Sequence, residues 1–272
     1  MKYMFTLFSD SSLQNFFTEI YHILREADSK VNEIWCEISK ISFFQGLGKT
    51  DMYEFLESFE FISIKKGNYI QYIAIDKILF IINCIKFLRY DIVHLSEILD
   101  YSGFEKLIKE ILSRNYYQAT TNFRFSWNSK LKSTISQKRF EIDVIGIYLK
   151  YILIIDAKQW RRKDSYSSLN KAAILQYNRI RALKNNPEAL LKLIKSILGK
   201  EHNIKRHLPL ILIPVMVTLE DNSIKLNENQ IPLVSIYKFN AFLQELPKNL
   251  HYFKSIQINK LVQQRQLNRF SY

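Results

Sequence analysis

Two short runs hold the residues with chemical potential: Phe140-Glu141-Ile142-Asp143-Val144-Ile145-Gly146 and Ile152-Leu153-Ile154-Ile155-Asp156-Ala157-Lys158-Gln159-Trp160. On a strand, residues two apart share a face, so Glu141 projects with Asp143, and Asp156 with Lys158. A short connection near Leu149 to Tyr151 folds the runs into an antiparallel hairpin, with Asp143 and Asp156 about equally far from the turn. Three acids and a lysine then converge. Two opposed carboxylates repel, and a divalent ion that prefers oxygen ligands, Mg2+ or Mn2+, relieves the repulsion. Asp156 closes Tyr151-Ile-Leu-Ile-Ile155, a run apolar enough for a strand buried on both faces, so its charge needs a reason. Metal-assisted phosphodiester hydrolysis supplies one: the ion acidifies a water and polarises the phosphoryl oxygen, while the ammonium orients the nucleophile or offsets developing charge. A D-x-K triplet by itself occurs by chance in most proteins and fits a surface ion pair better, so its setting decides.

That setting begins at Gly103. A helix, Phe104 to Ser113, precedes strand-like runs Thr121 to Trp127, Arg139 to Leu149 and Tyr151 to Trp160. Helices follow at Leu169 to Leu183 and at Pro187 to Leu198, the second opening with proline at its first position. Strands Leu208 to Leu219 and Ile231 to Ile236 lead into a last helix, Lys238 to Leu246. The order α-β-β-β-α-α-β-β-α predicts an α/β fold, a mixed central sheet flanked by helices.

The pattern resembles the PD-(D/E)xK, restriction-endonuclease-like nucleases. In them a helical glutamate comes first, then an acid ending one strand, then (D/E)-x-K on the adjacent strand. Asp143 matches the first acid, Asp156-Ala157-Lys158 the triplet, and Glu105 of Gly103-Phe104-Glu105 the helical glutamate, with Glu110 as its alternative. Glu-Ile-Asp-Val-Ile ahead of an apolar strand is close to the form in archaeal Holliday-junction resolvases and Mrr-like nucleases. Ile142 stands where the family's name has proline, and the match covers about Gly103 to Ile236.

The resemblance implies a Mg2+- or Mn2+-dependent nuclease acting on DNA. By it Asp143, Asp156, the carbonyl of Ala157 and Glu105 would be metal ligands, and Lys158 would assist the attacking water. Glu141 and Gln159 are auxiliary candidates, and Gln176 would order the site or touch DNA. The alternative is a regulator or assembly protein that binds DNA without cutting. DNA against RNA, and the substrate structure preferred, are not legible in the residues.

The net charge of +13 suggests a polyanionic partner. Residues 1–100 hold 10 Lys and Arg against 14 Asp and Glu, whereas residues 101–272 hold 29 against 12, so the phosphate contacts belong to the second part. Lys130, Lys132, Lys138, Arg139, Arg161, Arg162, Lys163 and Arg179 flank the acids and are the candidate nucleic-acid contacts.

Domains are expected over residues 1–100 and 101–272. The first is mainly helical: Leu13 to Arg25 and Val31 to Ile41 carry helical stripes, and a third helix starts near Thr50 or Asp51. A hairpin spans Phe61 to Ile73, and further helices Ile75 to Tyr90 and Ile92 to Leu99. Three helices and a hairpin resemble a winged helix, yet Asp51, Glu54, Glu57 and Glu60 give its third helix the wrong sign for phosphates. A homodimer or protein partner suits that domain better. No apolar run is long enough to span a membrane, and two cysteines without metal spacing fit a reducing cytoplasm.

Overall fold

The computed structural model describes residues 10–67, 70–88, 92–131, 134–159, 166–199, 208–219 and 226–261. The chain divides into two units, residues 1–107 and 108–272, and the division falls inside a single helix, α5 (Tyr101–Arg114).

In the first unit, α1 (Asp10–Glu26) buries Phe16, Phe17, Ile20 and Leu24 along one stripe. The next stretch corrects the sequence reading. Residues 31–41 form no α-helix but a strand, β1 (Glu33–Glu37), followed by 3-10 turns at Ile38–Lys40 and Ser42–Phe44. A helical stripe would have buried Trp35 beside Ile34 and Ile38, yet Trp35 is 59% exposed while Cys36 and Ile38 are buried. β-branched and aromatic residues in so short a run are readily captured by a neighbouring strand. That neighbour is β3 (Gln71–Asp76), which pairs antiparallel with both β1 and β2 (Ile62–Lys66), giving the order β1-β3-β2. Residues 68 and 69 lie outside the described residues.

Helix α2 (Lys49–Glu57) fills the place of the third predicted helix. Rings of Phe16, Phe17, Phe55, Phe59, Phe61 and Phe80 meet in a continuous aromatic core, with centroids 4.9 to 5.8 Å apart. Helix α3 (Lys77–Leu88) starts two residues later than its apolar pattern suggests, because Ile75 belongs to β3 and Asp76 is the cap. Asp76 Oδ1 accepts from the backbone N–H of Ile78 (2.8 Å) and Leu79 (2.9 Å). A short helix, α4 (Ile92–Leu95), and a 3-10 turn, Ser96–Ile98, complete the unit up to α5.

Lys77 is fully buried, and its ammonium donates to the carbonyls of Asp28 (2.8 Å) and Ile98 (3.1 Å). It ties the loop after α1 to the turn before α5. Lys77→Met leaves both carbonyls without this donor and is expected to cost about 2–4 kcal/mol in urea unfolding. Burial lowers the Lys77 pKa below its ordinary 10.5, so between the folded and unfolded values the unfolded chain binds more protons. The parent's stability margin over Lys77→Met should therefore widen as pH rises through that window.

The second unit is built on a mixed six-stranded sheet of order β4-β5-β6-β7-β8, with β9 also paired to β7. Strands β4 (Gln118–Leu131), β5 (Thr134–Tyr148) and β6 (Tyr151–Lys158) run antiparallel. β7 (Leu210–Thr218) and β8 (Leu233–Ser235) continue parallel to β6, which requires the crossover through α6 (Tyr166–Lys184) and α7 (Pro187–Leu198). Asn186 caps α7, its side chain accepting from the N–H of Ala189 at 3.0 Å. After α8 (Ile236–Asn249), β9 (Ile256–Ile258) adds antiparallel to the start of β7, a strand not expected from the sequence.

Ile145, Ile147, Ile152 and Ile154 face one core with Ile180 and Leu183 of α6 and Leu190 and Leu193 of α7. Each such buried side chain contributes about 1.5–3 kcal/mol. On the other face Gly146 lies so close to Leu112 and Tyr117 that a Cβ would sit 3.1 to 3.3 Å from them, and Asn115 bonds Asn240 of α8 at 2.8 Å. The sheet thus lies between helices, a mixed α/β arrangement. Among the described residues, no helix is long and apolar enough to cross a membrane.

Candidate active site

The β5–β6 ladder runs from Tyr148↔Tyr151 to Val144↔Ile155, and Asp143 and Asp156 are the next residues beyond it. Here the sheet opens. Asp143 Oδ2 accepts from the backbone N–H of Ala157 at 2.9 Å, so a carboxylate closes the ladder's end. The N–H and C=O of one strand residue point to the same edge, so the Ala157 carbonyl is directed toward β5 as well. Asp143 is 8% and Asp156 1% exposed, and Asp156 stands near the C-terminal end of β6 after the buried apolar run Ile152 to Ile155.

The β4–β5 ribbon also turns over at Asp143. Ladder partners run to Thr121↔Val144 and resume at Phe123↔Ile142, and the skipped Asn122 has φ 56°. Beyond the break Phe140 and Ile142 pack in the same core cluster as Ile145 and Ile147, which strict alternation would put on opposite faces. This overturns the expected convergence of Glu141 with Asp143. Glu141 instead pairs across the strands with Arg124 at 2.8 Å, both side chains well exposed.

Asp156 faces α6, as do Ile152 and Ile154, four and two residues before it. Lys158 Nζ lies 2.9 Å from Asp156 Oδ2, an ion pair by distance without hydrogen-bond angles. Arg179 of α6 donates to Asp156 Oδ1 and, at 2.8 Å, to Gln176 Oε1. Gln176, fully buried, donates in turn to the Ile154 carbonyl at 2.6 Å. Gln176 and Arg179 stand three residues apart and so share a helix face. One chain of polar contacts therefore runs from the β6 backbone through α6 to the Asp156–Lys158 pair.

Of the two roles expected for Gln176, only ordering the site suits a side chain sealed inside. Arg179, expected on a phosphate, turns inward to Asp156. Arg139 is exposed on a groove of about 790 Å³ between the β4–β5 ribbon and α7, lined also by Arg124, Glu141, Asn186 and Lys192. Glu105 is buried on α5, whereas Glu110 is half-exposed and pairs with Arg114 at 3.0 Å. Gln159 follows β6, half-buried. Lys132, Arg161, Arg162 and Lys163 lie outside the described residues, as do the side chains of Lys130 and Lys138. Sequence reading missed Arg179 as Asp156's partner, although its spacing from Gln176 on a strand-facing stripe was the available signal.

Among the described residues, no group of three or more His, Cys, Asp and Glu gathers closely enough to hold a metal ion by itself. What the second unit offers is two carboxylates and a backbone carbonyl, hard oxygen donors suited to Mg2+ or Mn2+ with water completing the shell. The carboxylates are balanced by two cations whose side chains keep about a fifth of their surface in solvent, 20% for Lys158 and 23% for Arg179.

No family model matches this chain. No curated protein matches it either. Among solved structures, that of protein VC1899 from Vibrio cholerae is similar at 14% identity and a TM-score of 0.28, over 89% of this chain. This chain spans about half, 52%, of the length of that protein.

Proposed function

We propose that this chain is a divalent-metal-dependent nuclease of the PD-(D/E)xK kind that hydrolyses phosphodiester bonds of DNA. The observation that carries the reading is the meeting of Asp143, Asp156 and Lys158 at the open end of the β5–β6 ladder. Charged groups buried at the carboxyl end of a central strand call for a ligand outside the strand ends. The restriction-endonuclease-like fold is part of this reading, supported by three antiparallel strands that pass through a helical crossover into parallel ones.

The donor set fits Mg2+ or Mn2+, held by Asp143, Asp156 and the Ala157 carbonyl. When bound, such an ion lowers the pKa of a water and polarises the phosphoryl oxygen. The residues do the rest. The Ala157 N–H fixes the Asp143 carboxylate, and Gln176 locks α6 to β6. Lys158, held beside Asp156, orients the attacking water and offsets the charge that develops on the pentacoordinate phosphoryl group in the transition state. Residues 101–272, with their 17 excess positive charges, bind the phosphate backbone. Arg139→Ala should weaken duplex binding about equally for all sequences and lower the salt slope by about 0.9, measured by fluorescence anisotropy across salt concentrations.

In the first unit, helix, strand, two 3-10 turns, helix and hairpin with sheet order β1-β3-β2 support a winged-helix module. Its acidic α2 suits a protein partner or second copy rather than DNA, and we assign the chain to the cytoplasm. One observation favours a second reading, a DNA-binding protein that does not cut: Asp156 is already charge-compensated by Lys158 and Arg179. Incubating labelled duplex, single-stranded DNA and RNA with the full chain, with Mn2+ or with chelator, separates the two. Cutting that chelator abolishes supports the nuclease, and the cleaved polymer names the substrate; binding without cutting selects the second reading.

A further inference from the structure

We infer that Arg179 is a built-in counter-ion of Asp156 that sets the site's affinity for divalent cations and couples cation binding to phosphate binding. This rests on the nuclease reading above. Arg179 stands where a metal ion's charge would act, on a carboxylate that is 1% exposed, and Gln176 aims it there through a bond to its own Oε1. Gln176 is in turn fixed by the Ile154 carbonyl, so the guanidinium is directed by the sheet backbone and not by chance surface contact.

Charge balance supplies the consequence. Within the second unit, Asp143 and Asp156 oppose Lys158 and Arg179, two charges against two. A divalent ion added to that set leaves two uncompensated positive charges in a buried place, which is costly. Releasing Arg179 removes one of them, and a phosphodiester, with a single negative charge, cancels the other. Arg179 has somewhere to go: its side chain is 23% exposed, so the guanidinium reaches solvent by a rotamer change on an intact helix. There it meets the phosphate backbone bidentately, as arginine does well. Cation and polyanion therefore favour each other, and the linkage is reciprocal. Arg179 on this view competes with the ion for Asp156, and its removal should tighten cation binding.

The test is calorimetric titration of the full chain with Mn2+, without nucleic acid, for the parent, Arg179→Met and Arg179→Lys. Arg179→Met should bind Mn2+ about tenfold more tightly than the parent, with Arg179→Lys between, a step within the range typical of coupled sites. Adding a cleavage-resistant phosphorothioate duplex should tighten Mn2+ binding to the parent by a larger factor than to Arg179→Met, because only the parent also releases its guanidinium to the phosphate. If Arg179→Met fails to fold, the Arg179→Lys titration decides by the same criterion. Unchanged or weaker Mn2+ binding in folded variants overturns the inference and leaves the nuclease reading intact. Absence of Mn2+ binding in parent and variants alike overturns both.

Discussion

Asp156→Asn is expected to abolish metal-dependent DNA cleavage, by a thousandfold or more, and to destabilise the second unit as well. The two losses have different causes. Cleavage fails because a buried carboxylate ligand becomes a neutral amide that cannot balance a hard cation. Stability falls because Lys158 and Arg179 remain against one another without the anion between them. Removing one partner of a buried pair costs about 3–5 kcal/mol; with both cations partly in solvent, about 2–4 kcal/mol is expected here. Cleavage is measured well below the urea midpoint, so that unfolding does not masquerade as lost chemistry. Full activity in a folded Asp156→Asn protein removes Asp156 from the site.

Lys158→Met is expected to lower cleavage by about 10²–10³, the range for removing one donor that meets transition-state charge. Unlike the Asp156 change it leaves the carboxylate, and Arg179 still neutralises it, so the folded state loses only about 1 kcal/mol. Mn2+ binding should hold or strengthen, since the carboxylate loses a competing cation. Loss of cutting with retained metal binding is the signature of a residue that acts on the reaction. Loss of both points to a lysine needed for the architecture.

Much of the second unit was legible because its signals are local. Tyr151 to Ile155 is apolar on both faces and ends in Asp156-Ala157-Lys158, Pro187 marks a helix start, and Leu210 to Thr218 is a buried parallel strand. The errors share one physical origin, tertiary contacts without a local trace. Ile34, Trp35 and Ile38 satisfy a helical period, but pairing with β3 makes a strand of them. Glu141 and Asp143 satisfy the strand period, but the ribbon turns over at Asn122 and Asp143, and alternation cannot announce a break that depends on two strands at once. Arg179 looked like any other cation in a basic segment. Only the register of α6 on β6 turns it inward, and that register is set by Gln176 and the Ile154 carbonyl. β9 is three residues long and too short to stand out by pattern.

The most direct measurement is cleavage of supercoiled plasmid and of a synthetic four-way junction in Mg2+ or Mn2+, comparing the parent with Asp143→Ala and Lys158→Ala. Metal-dependent cutting by the parent that disappears in both variants is the expected result, and the substrate cut faster begins to name the enzyme's task. A parent that binds either DNA and leaves it whole, or a variant that cuts as fast as the parent, contradicts a nuclease site built on Asp143, Asp156 and Lys158.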